Sequence, residues 1–279
     1  MVRCLVQLSD LHIKAPGLLA YGRVDTASCL KRAVESVNRL SQAPDAVVLT
    51  GDLTDSGRAD EYQHLRDLLA PLRSPLYVLP GNHDDRVALR AAFEDHAYLQ
   101  SSAVSGPSDC VQYAVDLGGL RLVTADTVVP CEAHGALDPA RLAHLDRLLA
   151  DAAGLPTIVA LHHPPFRTLL GPLDEIGLKF GADQLAALIS GYQRIERVIC
   201  GHFHRSIQAR WAGTLAMCAP STAHQLVLDL GVGAPAAFAM EPPGFLVHVW
   251  DEAGTVVSHQ VAIGEFPGPY AFDDDGKSA

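Results

Sequence analysis

Five short polar blocks punctuate the chain: Asp10-Leu11-His12, Gly51-Asp52, Gly81-Asn82-His83-Asp84, His162-His163 and Gly201-His202-Phe203-His204. An apolar run precedes each of them, at residues 4–8, 46–50, 76–79, 158–161 and 197–200. These runs are short, largely aliphatic and bounded by turn formers or polar residues, as buried parallel strands are. Parallel strands of that kind build an open α/β sheet, whose ligand crevice lies at the carboxyl ends of the strands. The blocks occupy those ends, so the pattern predicts that side chains nearly two hundred residues apart in sequence meet on one rim. A core has no use for such a set, because buried aspartate and histidine are costly unless paired or metal-bound.

Between the runs the periodicity changes to that of helices. Segment 26–40 carries Leu30, Ala33, Val34, Val37 and Leu40 on one stripe, and segment 58–72 carries Leu65, Leu68, Leu69 and Leu72. Helices are also predicted over 86–93 and over 138–149, where Asp138 caps and Pro139 opens the first turn. From residue 110 the texture turns to hairpin, with strands 112–116 and 120–125 about Gly118-Gly119. Four strand candidates follow His204, at 207–211, 215–218, 245–250 and 256–261, and are expected to join the hairpin in a second sheet. Residues 1–265 thus read as one catalytic domain. Within it, 219–244 is an excursion rich in Ala, Gly and Pro, suited to a cap or a subunit contact, and 266–279 reads as a solvated tail.

Composition narrows the function. The 279 residues are 48% hydrophobic and 19% charged, and no apolar run approaches the ~20 residues of a membrane span, so no insertion and a cytoplasmic location are expected. Six scattered cysteines form no Cys-x-x-Cys pair and read as reduced thiols. A net charge of -11 with only 21 Lys and Arg argues against a nucleic-acid polymer as partner. It does not exclude a small anion, since bound divalent cations supply local positive charge.

Carboxylates and imidazoles without cysteine suit manganese, iron, zinc or cobalt better than calcium or magnesium alone. Asp10 and His12 stand two apart at a strand end, as do His202 and His204, so each pair shares a face. The lone Asp52 is suited to bridge two ions ~3.5 to 4 Å apart.

In order and spacing, the five blocks resemble the signature of the calcineurin-like metallophosphoesterases over residues 6–204. Ser9-Asp-Leu-His12, Tyr21-Gly22, Pro80-Gly-Asn-His-Asp84, His162-His-Pro-Pro165 and Thr222-Ala-His-Gln225 are similar to the bacterial cyclic-nucleotide phosphodiesterase and glycerophosphodiesterase group. The resemblance implies an α/β fold, a four-layer αββα sandwich of two stacked mixed sheets flanked by helices. It implies one metal held by Asp10, His12, Asp52 and His204, and a second by Asp52, Asn82, His163 and His202. His162 is then the less favoured of the adjacent pair.

A metal-bridging hydroxide attacking phosphorus in line is the expected chemistry, with Asp52 and His83 catalytic and Asn82, His83 and His224 contacting substrate. Asp84 is expected to orient His83. The favoured substrate is a 3',5'-cyclic nucleotide such as cAMP. A glycerophosphodiester or a broad range of diesters is the alternative, and a non-catalytic scaffold a remote one. An exonuclease would need a basic path for its polymer. A phosphoprotein phosphatase would be expected to place arginines beside the metals, which the blocks lack. The loop 166–180 is a candidate substrate gate, and the apolar stretch 234–240 a candidate homodimer or higher-order contact.

Overall fold

A computed structural model describes residues 2–100, 109–151, 154–231, 233 and 235–271. Strands β1 (Arg3–Leu8), β2 (Ala46–Thr50) and β3 (Leu76–Leu79) run parallel. They are joined by helices α1 (Thr26–Asn38) and α2 (Ala59–Leu69), and α3 (Arg86–Ala92) follows β3. The helices begin where side chains can cap them: Asp25 accepts from Ser28 N at 2.9 Å, and Asp85 from Ala88 N at 2.8 Å.

The second sheet holds β4 (Ala114–Asp116), β5 (Arg121–Ala125), β7 (Thr157–Leu161), β9 (Ile195–Cys200), β10 (Ile207–Trp211) and β11 (Thr214–Cys218), in the order β10-β11-β9-β7-β5-β4. Helices α4 (Pro139–Ala150) and α5 (Ala182–Ser190) cover it. Two small pairs lie outside the large sheets: β6 (Gly135–Ala136) with β8 (Leu178–Phe180), and β12 (Gln225–Leu226) with β13 (Phe238–Ala239).

Three apolar layers hold these parts together. Leu30, Val34, Leu65 and Leu89 pack between the first sheet and its helices; Leu145, Leu149, Leu185 and Ile189 do so on the second. Leu5, Val48, Leu122, Ile158 and Ile199 fill the space between the sheets. The result is the expected αββα sandwich of two mixed sheets flanked by helices.

The strands were not all shared out as their order in sequence suggested. Residues 245–250 and 256–261 form β14 (Gly244–Trp250) and β15 (Val257–Ala262), which belong to the first sheet, with β14 antiparallel on β1. The buried β1 needs a partner on each edge, β2 fills one, and β14 is apolar enough on both faces to fill the other. Conversely, β7 and β9 lie in the second sheet, so the rim that gathers the polar blocks is a seam between two sheets.

Gln7 braces that seam. Its amide donates to Thr50 Oγ1 in the first sheet and to the Cys200 carbonyl in the second, each at 3.0 Å. Its carbonyl accepts from His248 Nε2 at 3.2 Å, and His248 Nδ1 pairs with Ser258 Oγ at 2.8 Å. Residues 272–279 of the predicted tail, and Ala234 at the start of the apolar stretch 234–240, fall outside the described residues.

Candidate metal centre

At the ends of β1, β2 and β9 the chain turns sharply, and it does so at the predicted ligands. Asp10 (φ 54°), His12 (φ 46°), Asp52 (φ 50°), His202 (φ 73°) and His204 (φ 46°) all lie in the left-handed region, which residues other than glycine rarely adopt. Each such residue costs about 1 to 3 kcal/mol, a strain that structures keep at functional sites. The adjoining glycines let the loops close on one another. A Cβ at Gly81 would overlap the Asp52 carboxylate, and one at Gly201 would come within 2.7 Å of Asp10 Oδ2. Backbone bonds tie the blocks: His12 N donates to the Asp52 carbonyl at 2.9 Å, Gly201 N to the His162 carbonyl at 3.1 Å, and His202 N to Asp10 Oδ1 at 2.9 Å.

The side chains converge on two centres. Ligand atoms of Asp10, His12, Asp52 and His204 all lie within 4.8 Å of one another. Within that group the Nε2 atoms of His12 and His204 are 3.0 Å apart, and His204 Nε2 is 3.6 Å from Asp10 Oδ1. His162, His163 and His202 form a second group within the same limit. Asp52 faces both: its Oδ2 is 3.6 Å from His12 Nε2, and its Oδ1 is 3.4 Å from His162 Nε2. Asn82 Oδ1 is 3.2 Å from His162 Nε2, on the second side.

The protonation pattern suits cations. His204 Nδ1–H donates to the His224 carbonyl at 3.2 Å, which leaves its Nε2 as a lone-pair donor, and His162 Nδ1–H donates to the Thr50 carbonyl at 2.8 Å, with its Nε2 turned to Asp52. The Nε2 atoms of His163 and His202 are buried without a hydrogen-bond partner. Burial pushes His202 and His204 down to about 3, so both rings are neutral near pH 7. Burial also pushes Asp10 up to about 6. Asp52 is buried too, yet His162 beside it holds its carboxyl well below the usual range. In return, against the opposing effect of burial, Asp52 pushes His162 up to about 9. Buried carboxylates, neutral imidazoles and orphaned ring nitrogens together make a donor set for two divalent ions.

One expectation needs restating. Asp84 does not orient His83. Its carboxylate accepts from Leu53 N, Thr54 N, Gly81 N and Tyr62 Oη at 2.8 to 3.2 Å, locking the loop after β2 to the loop after β3. His83 instead donates from Nδ1 to the Asp55 carbonyl at 2.8 Å. Of the adjacent histidines, His162 presents Nε2 to Asp52 and Asn82, while His163 Nδ1 pairs with Thr127 Oγ1 at 2.7 Å. His224 sits beside the first group, its ring 4.5 Å from that of His204 and 5.2 Å from that of Tyr21.

Sequence reasoning missed Asp55, whose Oδ1 lies 3.5 Å from His12 Nδ1 and whose Oδ2 pairs with Lys14. A second carboxylate three residues beyond Asp52 was the available signal.

The family model described as calcineurin-like phosphoesterase matches residues 5–206, which takes in all five blocks. The chain is a calcineurin-like phosphoesterase. It is 33% identical over 268 residues to a probable glycerophosphodiester phosphodiesterase of Arcobacter nitrofigilis, covering 96% of each chain. It is also 33% identical to a cAMP/cGMP dual specificity phosphodiesterase of Mycobacterium tuberculosis, over 93% of this chain and 79% of that one. Among solved structures, a dimetal phosphatase from Danio rerio superposes with a TM-score of 0.63 at 14% identity, covering 94% of this chain and 99% of that one, and shares the fold. This calcineurin-like phosphoesterase is therefore a metal-dependent hydrolase with a two-ion centre of divalent cations.

Proposed function

We propose that this enzyme hydrolyses phosphodiesters and favours a 3',5'-cyclic nucleotide. The carrying observation is a cavity of about 280 Å³ that opens directly on His202, His204 and His224. Tyr21, Leu173, Phe203, Leu226 and Phe238 make its remaining walls largely apolar and aromatic, which suits a planar base better than a glycerol headgroup. Tyr21, His224 and Phe238 touch one another with ring centroids 5.0 to 5.2 Å apart, a preassembled wall for stacking. A glycerophosphodiester is the second reading, favoured by the likeness to the Arcobacter protein along its whole length.

In this reading Asp10, His12, Asp52 and His204 hold one ion, and Asp52, Asn82, His162 and His202 the other. His163, preferred on resemblance, stands beside them with its Nε2 unpartnered and its ring centroid 4.9 and 4.7 Å from those of His162 and His202, and is the other candidate for that place. Two bound divalent ions supply Lewis acidity toward the phosphate oxygens and toward an attacking water. The protein's share is to place and protonate. Asp52 presents one oxygen to each centre, Asn82 and His224 flank the phosphate position, and the Asp55 carbonyl fixes the His83 ring. In its imidazolium form His83 can then donate from Nε2 to the departing alkoxide.

The test is turnover of cAMP, glycerophosphocholine and bis(p-nitrophenyl) phosphate by manganese-loaded protein, with Asn82→Ala as control. Preferential cAMP hydrolysis, lost in the control, is expected. Faster glycerophosphocholine cleavage would select the second reading, and no diester turnover with two ions bound would end both.

A further inference from the structure

One wall of the aromatic cavity comes from outside the metal blocks. Leu226, Ala236, Ala237 and Phe238 line it from the strand pair β12 and β13 and the chain beside it, while His202, Phe203 and His204 line it from the block after β9. The pair is slight. Its strands meet at two positions, Gln225 with Ala239 and Leu226 with Phe238, and a further bond runs from Val227 N to the Ala237 carbonyl at 2.9 Å. A two-stranded ribbon of that size is marginal alone, so its place beside the centre depends on what ties it to the body.

Arg205 supplies such a tie. It directly follows His204, a candidate ligand. From a single nitrogen, Nη1, its guanidinium donates to the Leu226 carbonyl of β12 at 2.6 Å and to Glu241 Oε2, just beyond β13, at 3.0 Å. One side chain therefore clasps both strands of the ribbon, and the segment that carries His204 carries the clasp as well. Hydrogen bonds from a charged donor are the stronger kind, although the Glu241 carboxylate is more exposed and contributes the lesser share. On its inner side the ribbon rests on Phe238, whose ring is 5.0 Å from those of Tyr21 and His224 and packs against Ala20, Val24, Cys29 and Ala223.

Resting on the cyclic-nucleotide reading, we propose that Arg205 is a positioning residue for the base. By clasping the ribbon it holds Leu226 and Phe238 where a purine can stack while its phosphate is held at the metal centre. Arg205 is not one of the residues lining the cavity, so it acts through the wall and not on the ligand. A ligand that has a phosphate and no base makes no use of the wall, and its affinity does not depend on the clasp.

That contrast is the test. Manganese-loaded wild type, Arg205→Ala and Glu241→Ala are titrated by calorimetry with 5'-AMP and with inorganic phosphate. Wild type is expected to bind AMP more tightly than phosphate. Arg205→Ala should weaken AMP about tenfold while changing phosphate less than about twofold. Glu241→Ala leaves the bond to the Leu226 carbonyl in place and should weaken AMP by about threefold, again sparing phosphate. Because Glu241 is partly exposed, this second variant reads the clasp without disturbing the segment beside His204. In turnover of cAMP, both variants should raise KM with kcat within about twofold of wild type, the pattern of binding lost equally from ground and transition states.

Undiminished AMP affinity in both variants would overturn the clasp, since packing of Phe238 alone would then hold the ribbon. An equal loss of AMP and phosphate would also overturn it, as a disturbance of the metal block itself. Wild type that binds AMP no more tightly than phosphate would instead defeat the cyclic-nucleotide reading on which the clasp rests.

Discussion

Asp84 is the sharpest place to separate a structural from a catalytic role. Its two oxygens accept five hydrogen bonds: Leu53 N at 3.0 Å and Gly81 N at 2.8 Å on Oδ2, and Thr54 N at 3.2 Å, Thr54 Oγ1 at 3.2 Å and Tyr62 Oη at 2.8 Å on Oδ1. The two hydroxyls can rotate to other acceptors, but the three backbone N–H groups are buried and cannot. Leaving a buried donor unpaired costs about 1 to 3 kcal/mol. Part of this is offset because burial already penalises the charged carboxylate and raises its pKa. Asp84→Ala should therefore lower stability by about 4 kcal/mol, or on the order of 10 °C in Tm. Asp84→Asn keeps the shape and one acceptor oxygen, so it should fall between wild type and the alanine variant. The assay is urea unfolding of chelated protein, so that bound ions do not mask the difference. If the carboxylate served instead to orient His83, Asp84→Asn would unfold like wild type while kcat fell by about 10²-fold or more. That combination would refute the argument.

Other consequences follow from the same geometry. A Cβ in Gly201→Ala would press on Asp10 Oδ2 and the Ser9 hydroxyl, so ion affinity measured by calorimetry should drop at least tenfold; unchanged affinity would show that the loop relaxes freely. His248 is held neutral by burial, its pKa pushed down to about 3 from an ordinary value of about 6.5. Its share of stability is complete above pH 6.5 and is lost as pH falls toward 3, because only the unfolded chain takes up the proton. Between pH 8 and 5 wild type should lose about 2 kcal/mol more than His248→Gln, and parallel urea curves for the two would refute this. Chelation should lower Tm, and restoring free metal to 100 times Kd should return about 2.7 kcal/mol per site; a Tm indifferent to metal would contradict binding to the folded state.

The residues that converge on the rim were legible because a strand end is a strong positional signal: an apolar run followed by Gly-Asp or Gly-His-Phe-His places its polar residues at a rim whatever the remaining topology. Which of His162 and His163 faces Asp52 was not legible. Consecutive residues leave the strand end in different directions, and the choice is made by contacts with Thr50 and Thr127, 112 and 36 residues away. The same limit hid the partners of Asp84, since proximity to His83 in sequence says nothing of the loop after β2. The sheet assignment of β14 and β15 failed because an apolar strand fits any open edge, and the free edge of β1 exists only in the assembled sheet. Helix α5 escaped notice for a local reason. It opens at Gly181, in a left-handed conformation with no side-chain cap, so the usual start signal is missing despite Leu185 and Ile189 on its buried face.

The account turns on Asp52 joining two ion sites, and metal stoichiometry tests that most directly. Metal-free wild type and Asp52→Ala are each equilibrated with manganese, freed of unbound ion and analysed for metal per chain. Two ions in wild type, and fewer than two in the variant at the same free manganese, are predicted. A wild type that binds a single ion at saturation, or a variant that still binds two with undiminished affinity, would contradict the bridging carboxylate and the two-ion centre built on it.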